Sequence, residues 1–155
     1  MAVLFRAVIS TALLLLVTAC SQPATPTLTD STGQTLNTDG KWLLINYWAS
    51  WCKPCRAEVP ALNQLHQELS DQQVLILGYN FDRLEGEALK KASHELGIEF
   101  PLLDNKSLQQ LDLPGVAGIP VTFLIDPQGE YSMRLHGEQS REDFLAALDA
   151  QGAIK

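Results

Sequence analysis

The chain has 155 residues, of which 46% are hydrophobic and 19% are charged, a composition typical of one ordinary globular domain. Acidic residues outnumber basic residues by 18 to 11, which gives a formal net charge of −7 at pH 7. This balance argues against a nucleic-acid-binding surface and against electrostatic docking on a membrane.

The start of the chain has the pattern of an export signal. Arg6 supplies a positive charge, and residues 7–17 form an apolar run that is shorter than a typical membrane-spanning helix. The run ends in Val17-Thr18-Ala19-Cys20. This ending resembles the bacterial lipoprotein signal, in which the cysteine is lipidated and becomes the first mature residue. The alternatives are a cleaved signal peptide without lipidation and a retained anchor helix.

The lipoprotein resemblance sets the expected organisation of the chain. It implies a signal peptide over 1–19, a lipidated cysteine and polar tether over 20–26, and one domain over 27–155. It also implies attachment to a membrane through lipid at Cys20. In a Gram-negative source, Ser21 in place of an aspartate resembles the sorting signal for the outer membrane, facing the periplasm. In a Gram-positive source, the tether would lie on the outer face of the only membrane.

The first half of the domain is predicted to hold a βαβ unit. Residues 42–48 and 74–79 are short, continuously apolar runs typical of buried strands. Apolar side chains at helical spacing predict a helix between them that ends near Ser70. A small hairpin is predicted over 27–36, around a turn-rich tetrad.

The second half is predicted to add two helices, a helical turn and three strands. The expected elements are an exposed helix over 84–96, a short strand over 100–103, a helical turn over 107–111, an antiparallel hairpin of 121–125 with 131–135, and a final helix that Ser140 caps. Strands that alternate with helices indicate an α/β fold with a mixed central sheet flanked by helices.

Two thiols stand at the junction between the first strand and its helix, in Trp51-Cys52-Lys53-Pro54-Cys55. This position places Cys52 near the unpaired N–H groups of the helix start. Those groups and the helix dipole favour a thiolate over a thiol. The spacing therefore predicts thiol–disulfide exchange, with Cys52 as the nucleophile and Cys55 as the shielded resolving thiol.

The three cysteines divide into one lipidation site and one pair. An exported protein with three cysteines would leave an odd thiol, which lipidation of Cys20 removes. A disulfide between Cys52 and Cys55 would stabilise the fold little, because only two residues separate them and the stabilisation by a disulfide grows with the length of the loop that it closes. A zinc site would need two further Cys or His ligands nearby. Neither a metal nor a cofactor is expected.

At this point the chain resembles the thioredoxin superfamily, and within it the membrane-tethered branch of TlpA-, ResA- and CcmG (DsbE)-like thiol:disulfide oxidoreductases. The resemblance covers roughly residues 27–150 and rests on the block Tyr47 to Cys55, on Glu58 and Pro60, and on the block Gly115 to Phe123. It implies a thioredoxin-like fold with an N-terminal hairpin and with an inserted helix and strand before a cis-proline.

The resemblance also assigns residues around the thiols. It implies a cis peptide before Pro120, which leaves the backbone of Ile119 able to pair with an extended partner peptide. A trans proline that opens the following strand is the alternative. Trp51 and Ile119 are expected to flank the Cys52 sulfur as an apolar docking rim, and Pro54 fits the first helical turn.

Proton handling departs from many thioredoxins. The buried aspartate that they carry six residues before the first cysteine is Asn46 here, which cannot accept a proton. Glu58 matches the acidic residue of the tethered branch and is expected to tune Cys55 or to relay its proton. A solvent-facing carboxylate is its alternative. Glu99 is a further candidate for approach to the same site.

The resulting hypothesis is a monomeric disulfide reductase for exported proteins, apocytochrome c among the possible clients, which a membrane donor of the DsbD or CcdA kind recharges. The alternatives are a disulfide oxidase that runs in the opposite direction and a non-catalytic scaffold lipoprotein. A copper-handling protein would need a Cys-x-x-x-Cys pair and a well-placed histidine, whereas His66, His94 and His136 are dispersed. A peroxidase would need its cysteine in a different local setting.

Overall fold

The computed structural model describes residues 27–154. The strands of this part are β1 (Trp42–Trp48), β2 (Val74–Asn80), β3 (Val121–Ile125) and β4 (Tyr131–His136). Its helices are α1 (Lys53–Glu68), α2 (Gly86–Leu96), α3 (Asn105–Gln109) and α4 (Arg141–Ala150). The expected signal peptide, Cys20 and the tether lie outside the described residues. None of the helices between residues 27 and 154 is both long and apolar enough to cross a membrane.

The four strands form one mixed sheet in the order β2-β1-β3-β4. β1 pairs in parallel with β2 along its whole length, because α1 carries the chain back to the starting edge of the sheet. β3 is antiparallel to both β1 and β4. The sheet and its flanking helices confirm the predicted α/β class.

Apolar side chains cover both faces of the sheet, since alternate residues of each strand point to opposite sides. Leu44 and Trp48 of β1 belong to a cluster with buried residues of α1, α2 and α4. Leu43 and Ile45 belong to a second cluster with Leu28 and with buried residues of the 103–111 segment. Because the two clusters bury both faces of β1, its sequence is a continuous apolar run.

The turns and caps follow the sequence closely. Asp126 closes the β3–β4 hairpin, where its side chain accepts hydrogen bonds from the backbone N–H groups of Gln128 and Glu130, both at 2.9 Å. Ser140 caps α4 in a reciprocal capping box with Asp143, as predicted. The N-terminal hairpin is also present, with a bridge between Thr29 and Thr35.

The segment before β3 departs from the prediction in three places. The expected strand over 100–103 is reduced to isolated bridges at Leu102 and Leu103. α2 begins at Gly86 rather than at residue 84, after a turn in which Arg83 adopts a φ of 58°. α3 begins two residues before the expected start, because the Asp104 side chain caps it by accepting from the backbone N–H of Ser107.

Candidate active site

The two thiols lie where β1 ends and α1 begins. Cys52 is the N-cap residue of α1, and its sulfur accepts a hydrogen bond from the backbone N–H of Cys55 at 3.2 Å. Pro54 lies in the first helical turn, as expected, where its missing N–H costs little. Cys52 and Cys55 form a disulfide with an S–S distance of 1.93 Å.

The two cysteines differ in their access to solvent. Cys55 is fully buried, whereas Cys52 keeps 4% of its surface exposed. Cys52 is the less enclosed of the two, as the predicted order of attack requires, although the residue is far more buried in the disulfide than the sequence suggested. A partner must therefore approach the Cys52 side of the bond.

Trp51 forms an exposed apolar surface beside the disulfide. Its side chain is 64% exposed, and its indole Nε1 donates a hydrogen bond to Asp82 Oδ2 at 2.9 Å. Its ring meets Phe81 edge to face, with a centroid distance of 6.4 Å. Sequence reasoning missed Phe81 and Asp82. The parallel pairing of β1 with β2 was the available signal, because it brings the residues after both strands to the same edge of the sheet.

A second loop reaches the same edge of the sheet. The Ile119–Pro120 peptide bond is cis, as the resemblance implied. Ile119 packs against the apolar cluster that contains both cysteines. Pro120 is buried, and its carbonyl accepts from the backbone N–H of Gly137 at 2.9 Å. The cis-proline loop and the β4–α4 loop are thus joined next to the disulfide.

Glu58 lies one helical turn beyond Cys55 and is fully buried, which excludes the solvent-facing alternative. Its Oε2 accepts from Asn46 Nδ2 at 3.0 Å, and its Oε1 accepts from the backbone N–H of Gln139 at 2.8 Å. Asn46 donates its other amide hydrogen to Thr122 Oγ1 at 2.9 Å. One carboxyl group therefore connects α1 to β1 and to the start of α4.

Burial raises the pKa of Glu58 from 4.5 to about 7, because the loss of hydration outweighs the hydrogen bonds from Gln139 and Asn46. The nearby charge of Glu138 adds to the rise. A carboxyl group with a pKa near neutrality can both take up and release a proton at physiological pH. Sequence reasoning singled out Glu58 and Asn46 but did not foresee the hydrogen bond between them, and it missed Thr122 and Gln139.

The suggestion that Glu99 approaches the same site is wrong. Its Oε2 accepts from Gln67 Nε2 at 2.9 Å, and Gln67 lies about 18 Å along α1 from Cys55, at a rise of 1.5 Å per residue. The backbone N–H of Glu99 donates to Asn63 Oδ1 at 3.0 Å. Glu99 therefore helps to dock the loop after α2 on the distal half of α1. Across residues 27–154, no group of three or more His, Cys, Asp or Glu side chains is arranged to hold a metal ion.

Comparisons with known proteins agree with this geometry. The model of the AhpC/TSA family matches residues 23–131. The thiol-disulfide oxidoreductase ResA of Bacillus thuringiensis (strain Al Hakam) is 32% identical over 109 residues, which cover 70% of this chain and 62% of that protein. The match thus spans less than two thirds of the length of this relative.

Solved structures share the fold. StoA from Bacillus subtilis superposes with a TM-score of 0.64 at 20% identity, covering 79% of this chain and 94% of that one. The thioredoxin domain of a thiol-disulfide oxidoreductase from Bacteroides vulgatus has a TM-score of 0.60 at 26% identity, covering 84% of this chain and 96% of that one. These likenesses confirm the predicted thioredoxin-like fold.

Proposed function

Because the chain belongs to the AhpC/TSA family, we propose that it is an extracytoplasmic thiol:disulfide oxidoreductase that reduces disulfides of exported proteins. The observation that carries the proposal is the Cys52–Cys55 disulfide at the start of α1. One cysteine of this pair, next to an exposed tryptophan, keeps 4% of its surface exposed, and the other is fully buried. The likeness to the thiol-disulfide oxidoreductase ResA supports the same chemistry.

The reaction needs two displacements at sulfur. The Cys52 thiolate attacks a client disulfide, forms a mixed disulfide and releases one client thiolate. Cys55 then loses its proton, attacks the Cys52 sulfur and releases the second client thiolate. Two electrons pass to the client, whose thiolates take up two protons, and Cys52–Cys55 is left oxidised.

Glu58 is the proposed acceptor of the Cys55 proton. Positions three residues apart on a helix bring their Cβ atoms within about 5–6 Å, and Cys55 and Glu58 are both fully buried. A pKa of about 7 suits the transfer, because the group is then neither a strong acid nor permanently protonated. In this role Glu58 replaces the aspartate that Asn46 cannot supply.

The direction of the reaction and its location belong to the same proposal. A lipid on Cys20 would hold the protein at a membrane, facing the periplasm, where a dithiol donor of the DsbD or CcdA class returns two electrons and two protons. Disulfide-containing exported proteins, apocytochrome c among them, are the proposed clients. A redox midpoint more oxidising than about −150 mV would instead favour a disulfide oxidase. If the unmodified chain incorporated no more labelled fatty acid than Cys20→Ser, lipid attachment at this residue would be refuted.

Reduction of insulin disulfides by a dithiol donor tests the chemistry. The full chain should accelerate the reaction, and Cys52→Ser should reduce the rate to that of the donor alone, because Cys55, the other thiol of residues 27–154, is fully buried. Ser50→Ala is the matched control and should retain the activity of the unmodified chain. Equal activity in Cys52→Ser and in the unmodified chain would leave the non-catalytic scaffold as the better account.

A trapping experiment identifies the clients. Cys55→Ala removes the thiol that resolves the mixed disulfide, so that Cys52 should stay bound to its client and yield a larger species on non-reducing gels. The species should disappear on addition of a thiol reductant and in the Cys52→Ser/Cys55→Ala double variant. If no disulfide-linked protein were recovered at native expression, a dedicated reductase role would be contradicted.

A further inference from the structure

An open cleft adjoins the cis-proline loop. It has a volume of about 310 Å³, and residues 115–121 form one wall. Arg134, His136 and Gly137 form the other wall. The Ile119–Pro120 peptide bond lies in the cleft, and Ile119 also packs against the apolar cluster that contains the disulfide. A polypeptide that pairs with this loop would therefore run directly into the cleft.

An arginine and a histidine side chain of the second wall lie on one face of β4. Arg134 and His136 are two residues apart, so their side chains leave the strand on the same side. His136 is opposite Val121, the residue directly after the cis-proline, and Arg134 is opposite Phe123. Both residues are exposed at the outer strand of the sheet. The two side chains thus follow the path from the cis-proline outward.

Arg134 forms no ion pair with any acidic residue of the part of the chain that the structure describes. Of the four arginines within residues 27–154, Arg56 donates to two backbone carbonyls, Arg83 lies against the Tyr79 hydroxyl, and Arg141 forms an ion pair with Glu68. The ion pairs of this part of the chain include neither Arg134 nor His136.

The acidic residues nearest to Arg134 along the chain, Glu130 and Glu138, are not part of the cleft wall, and neither is Asp112, which precedes the other wall. In a chain with a net charge of −7, a guanidinium left unpaired in the cleft that adjoins the cis-proline loop is a local exception. A guanidinium binds a carboxylate through two parallel hydrogen bonds, which provides both orientation and affinity.

The opposite wall leaves room for a passing backbone. A Cβ atom added at Gly115 or at Gly118 would meet nothing within 4 Å, and neither glycine has a positive φ. The folded chain therefore does not itself require glycine at these two positions. Their absent side chains keep the loop surface open where an extended peptide would lie.

We propose that this cleft is a carboxylate-binding subsite, in which Arg134 and His136 hold an acidic side chain of the client polypeptide close to the disulfide under attack. The inference rests on the proposed function and adds a substrate class to it, namely disulfides with an aspartate or glutamate a few residues from the attacked cysteine. An extended chain advances about 3.3 Å per residue. A span of about two to five residues therefore covers the cleft from the cis-proline outward.

The test compares two synthetic peptides that differ only in charge. Each contains one intramolecular disulfide, and the residues two to five positions from the cysteines on either side include glutamates in one peptide and glutamines in the other. The full chain should reduce the glutamate peptide about five- to tenfold faster at low ionic strength. Arg134→Gln should abolish this preference, and Arg134→Glu should invert it.

A charge control and a binding measurement distinguish failure of the proposed subsite from failure of the proposed function. Lys90→Gln removes one positive charge from the exposed face of α2 and should keep the full preference. Equal rates for the two peptides with the unmodified chain, or an unchanged preference in Arg134→Gln, would overturn the subsite while leaving the reductase proposal intact. If neither peptide were reduced but Cys52→Ala/Cys55→Ala still bound the glutamate peptide more tightly, the subsite would stand and the proposed function would fail.

Discussion

At Glu58, burial and hydrogen bonding act in opposite directions on one carboxyl group. The hydrogen bonds from Asn46 and from the backbone of Gln139 stabilise the ionised form, yet the lost hydration costs more, and the pKa rises to about 7. A buried acid whose charge is disfavoured makes the folded state less stable as the pH rises. Titration of the carboxyl group that we propose as a proton acceptor should therefore also make the stability of the fold depend on pH.

We expect a pH-dependent difference in the free energy of unfolding between the unmodified chain and Glu58→Gln. The folded pKa lies above the unfolded value of 4.5, so the folded state binds more protons between these pH values. The contribution of Glu58 should be fully present below about pH 4.5 and decline by about 3 kcal/mol as the pH rises through about 7. Denaturant unfolding of the oxidised protein at several pH values measures it.

The comparison between variants isolates Glu58 from other titrating groups. Burial lowers the pKa of His66, which makes stability rise with pH and opposes the effect of Glu58, but this contribution is common to both proteins. Glu87→Gln removes an acid whose side chain is 91% exposed and should leave the profile unchanged. Parallel profiles for Glu58→Gln and the unmodified chain would show that Glu58 titrates normally.

The residues of the site differ in how far along the sequence they lie from the residues that hold them in place. Cys52, Cys55 and Glu58 share one helix and its cap, so their spacing along the sequence was sufficient to group them. The partners of Glu58 and Asn46 could not be foreseen in this way. Thr122 is 76 residues from Asn46, and Gln139 is 81 residues from Glu58. The pairing of β3 with β1 places Thr122 opposite Asn46, and the approach of the α4 start to α1 brings Gln139 to Glu58.

Among the elements, the segment 100–103 shows how one residue limits a strand. Phe100 and its apolar neighbours have the composition of a strand, but Pro101 has no N–H group to continue a ladder. The segment meets β2 at one point, where Gly78 donates to the Pro101 carbonyl at 2.9 Å and accepts from the N–H of Leu103 at 2.8 Å. By contrast, β1, β3 and α1 matched their expected positions, because uninterrupted apolar patterns define them.

Close approach at this point predicts a steric requirement for Gly78. A Cβ atom there would lie 2.6 Å from Leu102 Cδ2, 2.9 Å from Phe100 Cε2 and 3.1 Å from Trp48 Nε1. Gly78→Ala should destabilise the fold by about 1–3 kcal/mol through overpacking. Gly115→Ala, where the added atom meets open space, is the matched control and should change stability little. Equal unfolding midpoints for both variants in denaturant would contradict the close packing of this segment on β2.

For the molecule as a whole, the topology gathers the site at one edge of the sheet. β1 ends at Trp48 and β2 at Asn80, side by side in a parallel pair, while β3 runs the opposite way and begins at Val121. The redox pair, the residues that hold Trp51 and the cis-proline loop therefore meet without any long connection. The family resemblance placed the cis-proline near the redox pair, but the residues that hold Trp51 were missed. The open cleft beside the cis-proline loop was not predictable, because its walls belong to separate parts of the chain.

The acid strength of Cys52 in the reduced protein tests the central claim most directly. Thiolate absorbance of the Cys55→Ala variant, followed across pH, reports Cys52 alone among the two active-site thiols. Because Cys52 caps α1, its pKa should fall from the ordinary value of about 8.5 to about 7. In the reduced unmodified chain, an alkylating reagent should also modify Cys52 before Cys55. A midpoint near 8.5 together with preferential modification of Cys55 would contradict the account.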